Sequence, residues 1–218
     1  RPRLTKPPAA MPEPMPRFIK PAQARAVDIP PSDEGWAHEI KMDGYRLQAR
    51  IESGHVALLT RTGLDWTDRF ISLVPAFEKL PSTSAIIDGE LIVEDARGVS
   101  DFALLVAAMK SPRSKRFAYV AFDLLYRDGE SLLELPMAER KARLAALLKA
   151  ARGRRKQGLI RYVEHFESGG DAILQSACKL SLEGIALKSS LHGMMLLGIS
   201  GCFYLAYLKF VYPIIVVP

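Results

Sequence analysis

An α+β fold is what this sequence predicts, and three observations carry the prediction. Strand-like stretches with alternating or continuous apolar patterning recur from residue 36 onward, separated by turn pairs at Asp43-Gly44, Ser53-Gly54 and Asp128-Gly129. Helical stripes stand apart from them at 68–80, 102–109 and 136–151. Hydrophobic residues make up 49% of the 218, enough to bury a sizeable core in one large or two small domains.

The chain opens with a leader, residues 1–31, that holds Pro7, Pro8, Pro12, Pro14, Pro16, Pro21, Pro30 and Pro31. It is expected to be extended, pinned to the folded body by Phe18 and Ile19. The body starts at Trp36. Trp36, His38 and Ile40 alternate with Ala37, Glu39 and Lys41; beyond Asp43-Gly44, Tyr45, Leu47, Ala49 and Ile51 alternate with Arg46, Gln48, Arg50 and Glu52. This reads as a hairpin. Lys41 ends its first strand, held on a rigid element with its amine directed into a cleft, and Asp43 and Arg46 are close enough to set its electrostatics. A third strand follows Ser53-Gly54 at 55–60. A helix over 68–80 presents Phe70, Leu73, Val74 and Phe77 on one face. The strand 86–93 places Asp88 and Glu90 on one face, because side chains repeat every two residues. A short helix suits 102–109, and the apolar run 118–126 reads as a buried strand. Pro136 suits the first turn of a helix reaching about residue 151, with Leu144, Leu147 and Leu148 as its apolar face and Arg140, Lys141 and Arg143 solvated. A basic loop at 152–156, a strand at 160–163, a helix at 171–180 and a strand at 183–188 complete the body.

The net charge of +6 favours polyanionic partners, nucleic acid or nucleotide foremost. Cys178 and Cys202 lie in no metal-binding spacing, which argues against a disulfide framework and fits a reducing cytoplasm. His38, His55, His165 and His192 are scattered and carry no catalytic role. No Walker A loop and no Gly-x-Gly-x-x-Gly is present, so a P-loop or Rossmann site is unsupported. The proline-rich start lacks the apolar run of a secretory signal. From Gly193 to Leu208 there is no charge, about 16 residues against the ~20 that span a bilayer, so a membrane span fits poorly.

Lys41-x-Asp43-Gly44-x-Arg46 resembles the nucleotidyl-lysine motif of ATP-dependent DNA ligases and mRNA capping enzymes, most closely the ligase domain of bacterial ligase D, which acts in non-homologous end joining. Asp88-Gly89-Glu90-Leu91, Phe122-Asp123 and Glu183-Gly184-Ile185-Ala186-Leu187-Lys188 match the later motifs of that family in order, and Tyr207-Leu208-Lys209-Phe210 is a weak copy of the fifth. The resemblance implies an ATP-grasp-like catalytic domain: antiparallel sheets flanked by helices, with a nucleotide cleft between them. It implies Lys41 as the nucleophile that takes AMP from ATP, with Mg2+ or Mn2+ at Glu90 and Glu183. Glu39 would lie at the adenine edge, Phe122 on its ring face, Arg46 and Glu90 at the ribose, and Arg61, Lys188 and Lys209 at the phosphates. A free lysine, with a pKa of about 10.4, is protonated at neutral pH, so attack requires surroundings that favour the neutral amine.

The resemblance departs after Lys188, where the segment Ser189-Ser190-Leu191-His192-Gly193-Met194-Met195-Leu196-Leu197 stands where a polar Gly-Arg-Ser stretch is expected, and at Val211, which stands where the fifth motif has a second lysine. The expected organisation is a leader at 1–31, a nucleotidyltransferase domain at 32–190 and an apolar tail at 191–218 with a degraded fifth motif, ending before an OB-fold. The expected partners are DNA with nicks or double-strand breaks, a Ku-like end-binding protein, and polymerase and phosphoesterase domains of a larger ligase, in a bacterial cytoplasm near the nucleoid. Two alternatives stand beside this: an RNA ligase or capping guanylyltransferase, and a non-catalytic nucleic-acid-binding module.

Overall fold

The computed structural model describes residues 12–22, 24–27, 36–111, 113–152, 158–166, 184–189 and 203–207. Two sheets organise them. The first orders β1 (Ala24–Val27), β11 (Phe203–Tyr207), β10 (Gly184–Ser189), β2 (Trp36–Lys41) and β9 (His165–Phe166), antiparallel except for β1 beside β11. The second orders β4 (His55–Thr60), β3 (Tyr45–Glu52), β5 (Ser84–Ile92), β6 (Ala118–Arg127) and β7 (Glu130–Ser131), with β8 (Ile160–Tyr162) running parallel to β6. Strands therefore also form at 24–27 and 203–207, within the stretches expected as leader and apolar tail.

The hairpin expected around Asp43-Gly44 is corrected. β2 pairs with β10 and β9, whereas β3 pairs with β4 and β5, so residues 42–44 carry the chain from one sheet to the other. Gly44 is not there for a left-handed turn. A Cβ at this position would overlap the Leu91 carbonyl oxygen and meet Glu90 Cγ and Ile92 Cγ2 at 3.0 Å. Glycine lets the crossing lie flat against β5.

Sheet two has one apolar face and one mixed face, on which Arg46, Gln48, Arg50, Asp88 and Glu90 stand among smaller apolar clusters. Leu47, Ala49 and Ile51 of β3, Ile87 and Leu91 of β5, and Tyr119 and Ala121 of β6 share the main core. The helices cover that face. A single helix was expected over 68–80; a 3-10 helix (Thr67–Leu73) and a one-turn α1 (Val74–Phe77) form instead, with a non-helical Phe70 inside the first. Pro75 explains the break, since its ring suits a first turn and no later one. The predicted Phe70, Leu73 and Phe77 are nevertheless fully buried. α2 (Phe102–Ala108) is capped by Asp101, whose carboxylate accepts the Leu104 N–H at 2.8 Å.

In α3 (Met137–Arg152) the buried stripe is Met137, Arg140, Lys141, Leu144, Leu147 and Leu148. Arg140 and Lys141 are therefore interior residues, contrary to the solvated positions expected of them. Their spacing from the leucines puts them on the same helical face.

The described leader residues 12–22 form no helix and run alongside β3. Arg46, Gln48 and Arg50, every second residue of β3, donate to the carbonyls of Ala22, Ile19 and Pro16, every third residue of the leader. Gln48 also accepts the Ile19 N–H at 2.9 Å. A repeat of three without internal hydrogen bonds is the habit of proline-rich chain. Met15 and Ile19 pack on Ile86, Leu125 and Tyr126, and the Phe18 ring lies beside Gly63.

The helix expected at 171–180, residues 153–156 of the basic loop, both cysteines and His192 lie outside the described residues. Among the described residues no helix is long and apolar enough to cross a membrane.

Gly89 is a second tight approach. A Cβ there would stand 2.5 Å from Tyr119 Cζ and 2.7 Å from the Val120 carbonyl oxygen. Gly89→Ala is expected to cost about 1–3 kcal/mol through forced overpacking, read as a lower urea midpoint at unchanged slope. A midpoint equal to the parent's would show that the Tyr119 ring yields without cost.

Candidate active site

The crossing at 42–44 sets the site. Lys41, half-buried, ends β2 with Gly184 of β10 as its register partner. Glu39 lies on the same face of β2, two residues back, and so does Ala37, whose partner in β10 is Lys188. Across the crossing, Arg46 of β3 stands opposite Glu90 of β5. The mixed face of sheet two is thus brought up to the strand that carries Lys41.

Arg46 is held from two sides. Its Nε and Nη2 donate to the two oxygens of Asp88 at 3.2 and 2.7 Å, and Nη1 donates to the Ala22 carbonyl at 2.9 Å. Its guanidinium carbon lies 5.3 Å from the Phe122 ring centroid, a cation over an aromatic face. Burial works against its charge, but Asp88 foremost, and Glu90 and Asp123 further off, outweigh burial and raise its pKa. Asp88 is itself 2% exposed, so the bidentate pair is a fixed part of the wall rather than a surface contact. Burial foremost, and then the Asp88 and Glu90 carboxylates, raise the Tyr119 phenol well above its ordinary value. Its hydroxyl lies 2.8 Å from the Leu47 carbonyl and 2.9 Å from that of Ile87, beneath Gly89. Gly89 thus leaves room for this ring on one face while Asp88 and Glu90 project from the other.

Phe122 sits at a break in the ladder. Asp88 pairs with Asp123 and Gly89 with Ala121, so β6 advances two residues while β5 advances one. Such a bulge re-aims the skipped residue. Phe122 joins Met42, Ile92, Ala118, Val120 and Val163 in an apolar cluster beside Lys41. Asp123 turns to α3, where both its oxygens accept from Arg140 at 2.9 Å and the Arg140 Nη1 donates to the Leu135 carbonyl at 2.7 Å.

Glu39 is 2% exposed. Its Oε1 accepts from Lys141 Nζ at 2.5 Å, and the same ammonium meets the carbonyls of Val163 at 2.9 Å and Phe122 at 3.4 Å. Lys141 Nζ also lies 4.7 Å from the Tyr162 ring centroid. Burial, then the Glu164 and Glu39 carboxylates, push the Tyr162 phenol up to about 12, so the ring that faces the ammonium is neutral.

Of the predicted residues, Lys41, Glu39, Arg46, Glu90 and Phe122 come together around the crossing. Arg61 is exposed in the turn after β4, and Lys188 takes its place in β10. Glu183 and Lys209 lie outside the described residues. Asp43 is anchored to α2: its N–H donates to Ser100 Oγ at 3.0 Å and its carboxylate accepts the Phe102 N–H at 3.3 Å. Sequence reasoning missed Asp88, Arg140 and Lys141 as parts of the site's frame. The signal was present in the helical stripe of α3, extended one turn back from Leu144.

No cluster of His, Cys, Asp or Glu among the described residues makes a protein-only metal cage. Mg2+ and Mn2+ bound with a nucleotide take one or two carboxylates and complete their shell with phosphate oxygens and water. Glu90, an oxygen donor on the mixed face, fits that pattern.

Two largely antiparallel sheets thus meet at a strand-end lysine, with an arginine–carboxylate pair and an aromatic on the facing sheet. The chain belongs to the ATP-dependent DNA ligase domain family, whose model matches residues 22–194. It is 45% identical over 175 residues to the multifunctional non-homologous end joining protein LigD of Pseudomonas aeruginosa, covering 80% of this chain and 20% of that protein. The crystal structure of the ligase domain of Mycobacterium tuberculosis LigD superposes with a TM-score of 0.68 at 26% identity, covering 85% of this chain and 59% of that one. A mycobacterial DNA ligase D complexed with ATP and MES superposes with a TM-score of 0.65 at 25% identity, covering 84% and 60%.

The Arg140–Asp123 pair gives a direct test of this frame. Arg140→Met leaves the buried Asp123 carboxylate without its partner and is expected to cost about 3–5 kcal/mol. Asp123→Asn combined with Arg140→Met is expected to recover much of that loss in denaturant unfolding. Equal losses in the single and double variants would show that the pair's charge is not the issue.

Proposed function

We propose that this chain is the adenylation domain of an ATP-dependent DNA ligase that seals DNA breaks in end-joining repair. The observation that carries the reading is Lys41 at the sheet crossing, with Arg46–Asp88, Glu90 and Phe122 on the facing sheet. The likeness to LigD proteins favours this over a capping guanylyltransferase or a non-catalytic module. In the first step the neutral Lys41 amine attacks the α-phosphorus of ATP. A nitrogen–phosphorus bond forms, the bond to pyrophosphate breaks, and the amine's extra proton leaves to solvent. AMP then passes to the 5′-phosphate of a break, and the 3′-hydroxyl displaces AMP as the strand is joined.

Each residue has a part. Phe122 stacks on the base, and Glu39 lies at its edge. Arg46, already fixed by Asp88, meets the ribose with Glu90. Arg61, Lys188 and Lys209 neutralise phosphate charge, which is most of what phosphoryl transfer asks of a protein. Glu90 and Glu183 hold Mg2+ or Mn2+, which when bound supplies charge neutralisation on the phosphate oxygens. Residues 32–190 form the catalytic body, with 1–31 as leader and 191–218 as tail. DNA with nicks or double-strand breaks is the substrate. A Ku-like protein and further polymerase and phosphoesterase domains are its proposed company in a bacterial cytoplasm.

Incubation with α-labelled ATP and Mg2+ is expected to attach AMP to Lys41 through an acid-labile, alkali-stable phosphoramidate, identified by peptide mass. Lys41→Ala is expected to reduce labelling to background. Glu90→Ala is expected to slow it strongly, although an ordinary half-exposed acid shifts stability by only about 0.5 kcal/mol. Undiminished labelling of the Lys41 variant would refute the assignment.

A further inference from the structure

We propose that Lys141 is a specificity-determining positioning residue, whose ammonium fixes the acceptor-lined end of the base pocket. The inference rests on the adenylation reading and extends it to a residue on α3 that lies in none of the motifs matched to the ligase family.

Lys141 is 0% exposed. A lysine inside a protein needs oxygen partners, and this one has them from three separate elements. Glu39 comes from β2 in sheet one, Phe122 from β6 in sheet two, and Val163 from the link between β8 and β9. An ammonium has three N–H donors and no acceptor, so it matches three converging oxygens. Without it, a carboxylate and two carbonyls would face one another in the interior with no donor between them.

Stability alone does not explain such a group. A buried ion pair contributes little relative to well-packed apolar side chains of the same volume. A leucine at this position would continue the stripe of Leu144, Leu147 and Leu148. What Lys141 supplies instead is position. It ties Glu39, two residues before Lys41 on the same face of its strand, to the backbone of the bulged Phe122. It thereby sets the distance between the strand that bears the nucleophile and the ring that takes the base.

The chemistry of the pinned group gives the selectivity. A carboxylate bonded to an ammonium is acceptor-only. The 6-position of adenine carries an amino donor, and that of guanine an oxygen acceptor. An acceptor held there favours adenine and leaves guanine with two acceptors in contact. Specificity built on buried polar groups is large because the wrong ligand leaves them unpaired.

The test uses the full chain and calorimetric titration with ATP and with GTP, in the parent, Lys141→Met, Glu39→Gln, and the double variant Glu39→Gln/Lys141→Met. The double variant removes both charges, so it restores the melting temperature lost in the single lysine variant. The parent is expected to prefer ATP over GTP by about a hundredfold or more. Lys141→Met and the double variant are expected to lose about tenfold or more of that preference. Retention of the parent's preference by the refolded double variant would overturn the proposal and leave Lys141 as a structural partner only. A parent that binds the two nucleotides equally would overturn it as well. Covalent labelling is scored separately on the same samples. A parent that prefers ATP but never forms the Lys41 adduct contradicts the adenylation reading while the binding ratios still decide the role of Lys141.

Discussion

Lys141 carries an ammonium into a part of the molecule where none of its surface meets water, and the two sheets close around it. The chain passes from sheet to sheet at 42–44, between β2 and β3, and again at Val163 and Glu164, between β8 and β9. Lys141 bonds the Val163 carbonyl at the second crossing and Glu39 beside the first. Val163 is fixed further by its own N–H, which donates to the Ala121 carbonyl at 3.0 Å. Arg140 stands one residue earlier on α3 and grips Asp123, the residue that follows the bulge. Two adjacent cations on one helix therefore set both the spacing of the sheets and the shape of the strand between them. Each is costly to leave unpaired, so the oxygens around them are held to a narrow geometry.

Much of this was legible in the residues. Alternation located β2 and β3, the turn at Ser53-Gly54 located β4, the continuous apolar run located β6, and Asp88 and Glu90 do share a face. The hairpin was not recoverable, because a short turn between two alternating runs looks the same whether the strands pair or part. The decision lies with Leu91, whose carbonyl leaves no room for a side chain at residue 44, and that contact is 47 residues away in sequence. Arg140 and Lys141 were misread for a different reason. A charge on a helix is ordinarily solvated, and that expectation outweighed a stripe that places both residues in line with the leucines. Their partners, Asp123 and Glu39, come from distant strands, so no local pattern reveals that the charges are compensated. The roles of Glu183 and Lys209 rest on the family motifs alone, since those residues lie outside the described structure.

The leader shows how a segment beyond the matched family domain can still bear on the site. The family match begins at residue 22, yet the carbonyls of Pro16 and Ile19, which precede it, join that of Ala22 in covering the outward side chains of β3. The two chains have different periods. A strand presents a side chain to one face every ~6.8 Å, and proline-rich chain repeats about every 9 Å, so long donors are needed to bridge the mismatch. Arg46, Gln48 and Arg50 are such donors. Tyr126 adds a fourth tie by donating its hydroxyl to the Glu13 carbonyl at 2.6 Å.

Arg46 belongs both to the leader contacts and to the proposed nucleotide site. An arginine facing a nucleotide alone would lose the freedom of a long side chain on binding, at a cost of about 0.5–1.5 kcal/mol for a single rotamer-rich group. Here Asp88 and the Ala22 carbonyl have already removed that freedom, and folding has met the cost before any ligand arrives. Glu90 stands opposite in register and needs Gly89 beside it, because Tyr119 fills the space on the far face. Arg46, Asp88 and Glu90 stand on strands whose opposite face is buried in the main core. The site's precision comes from that packing as much as from its own hydrogen bonds.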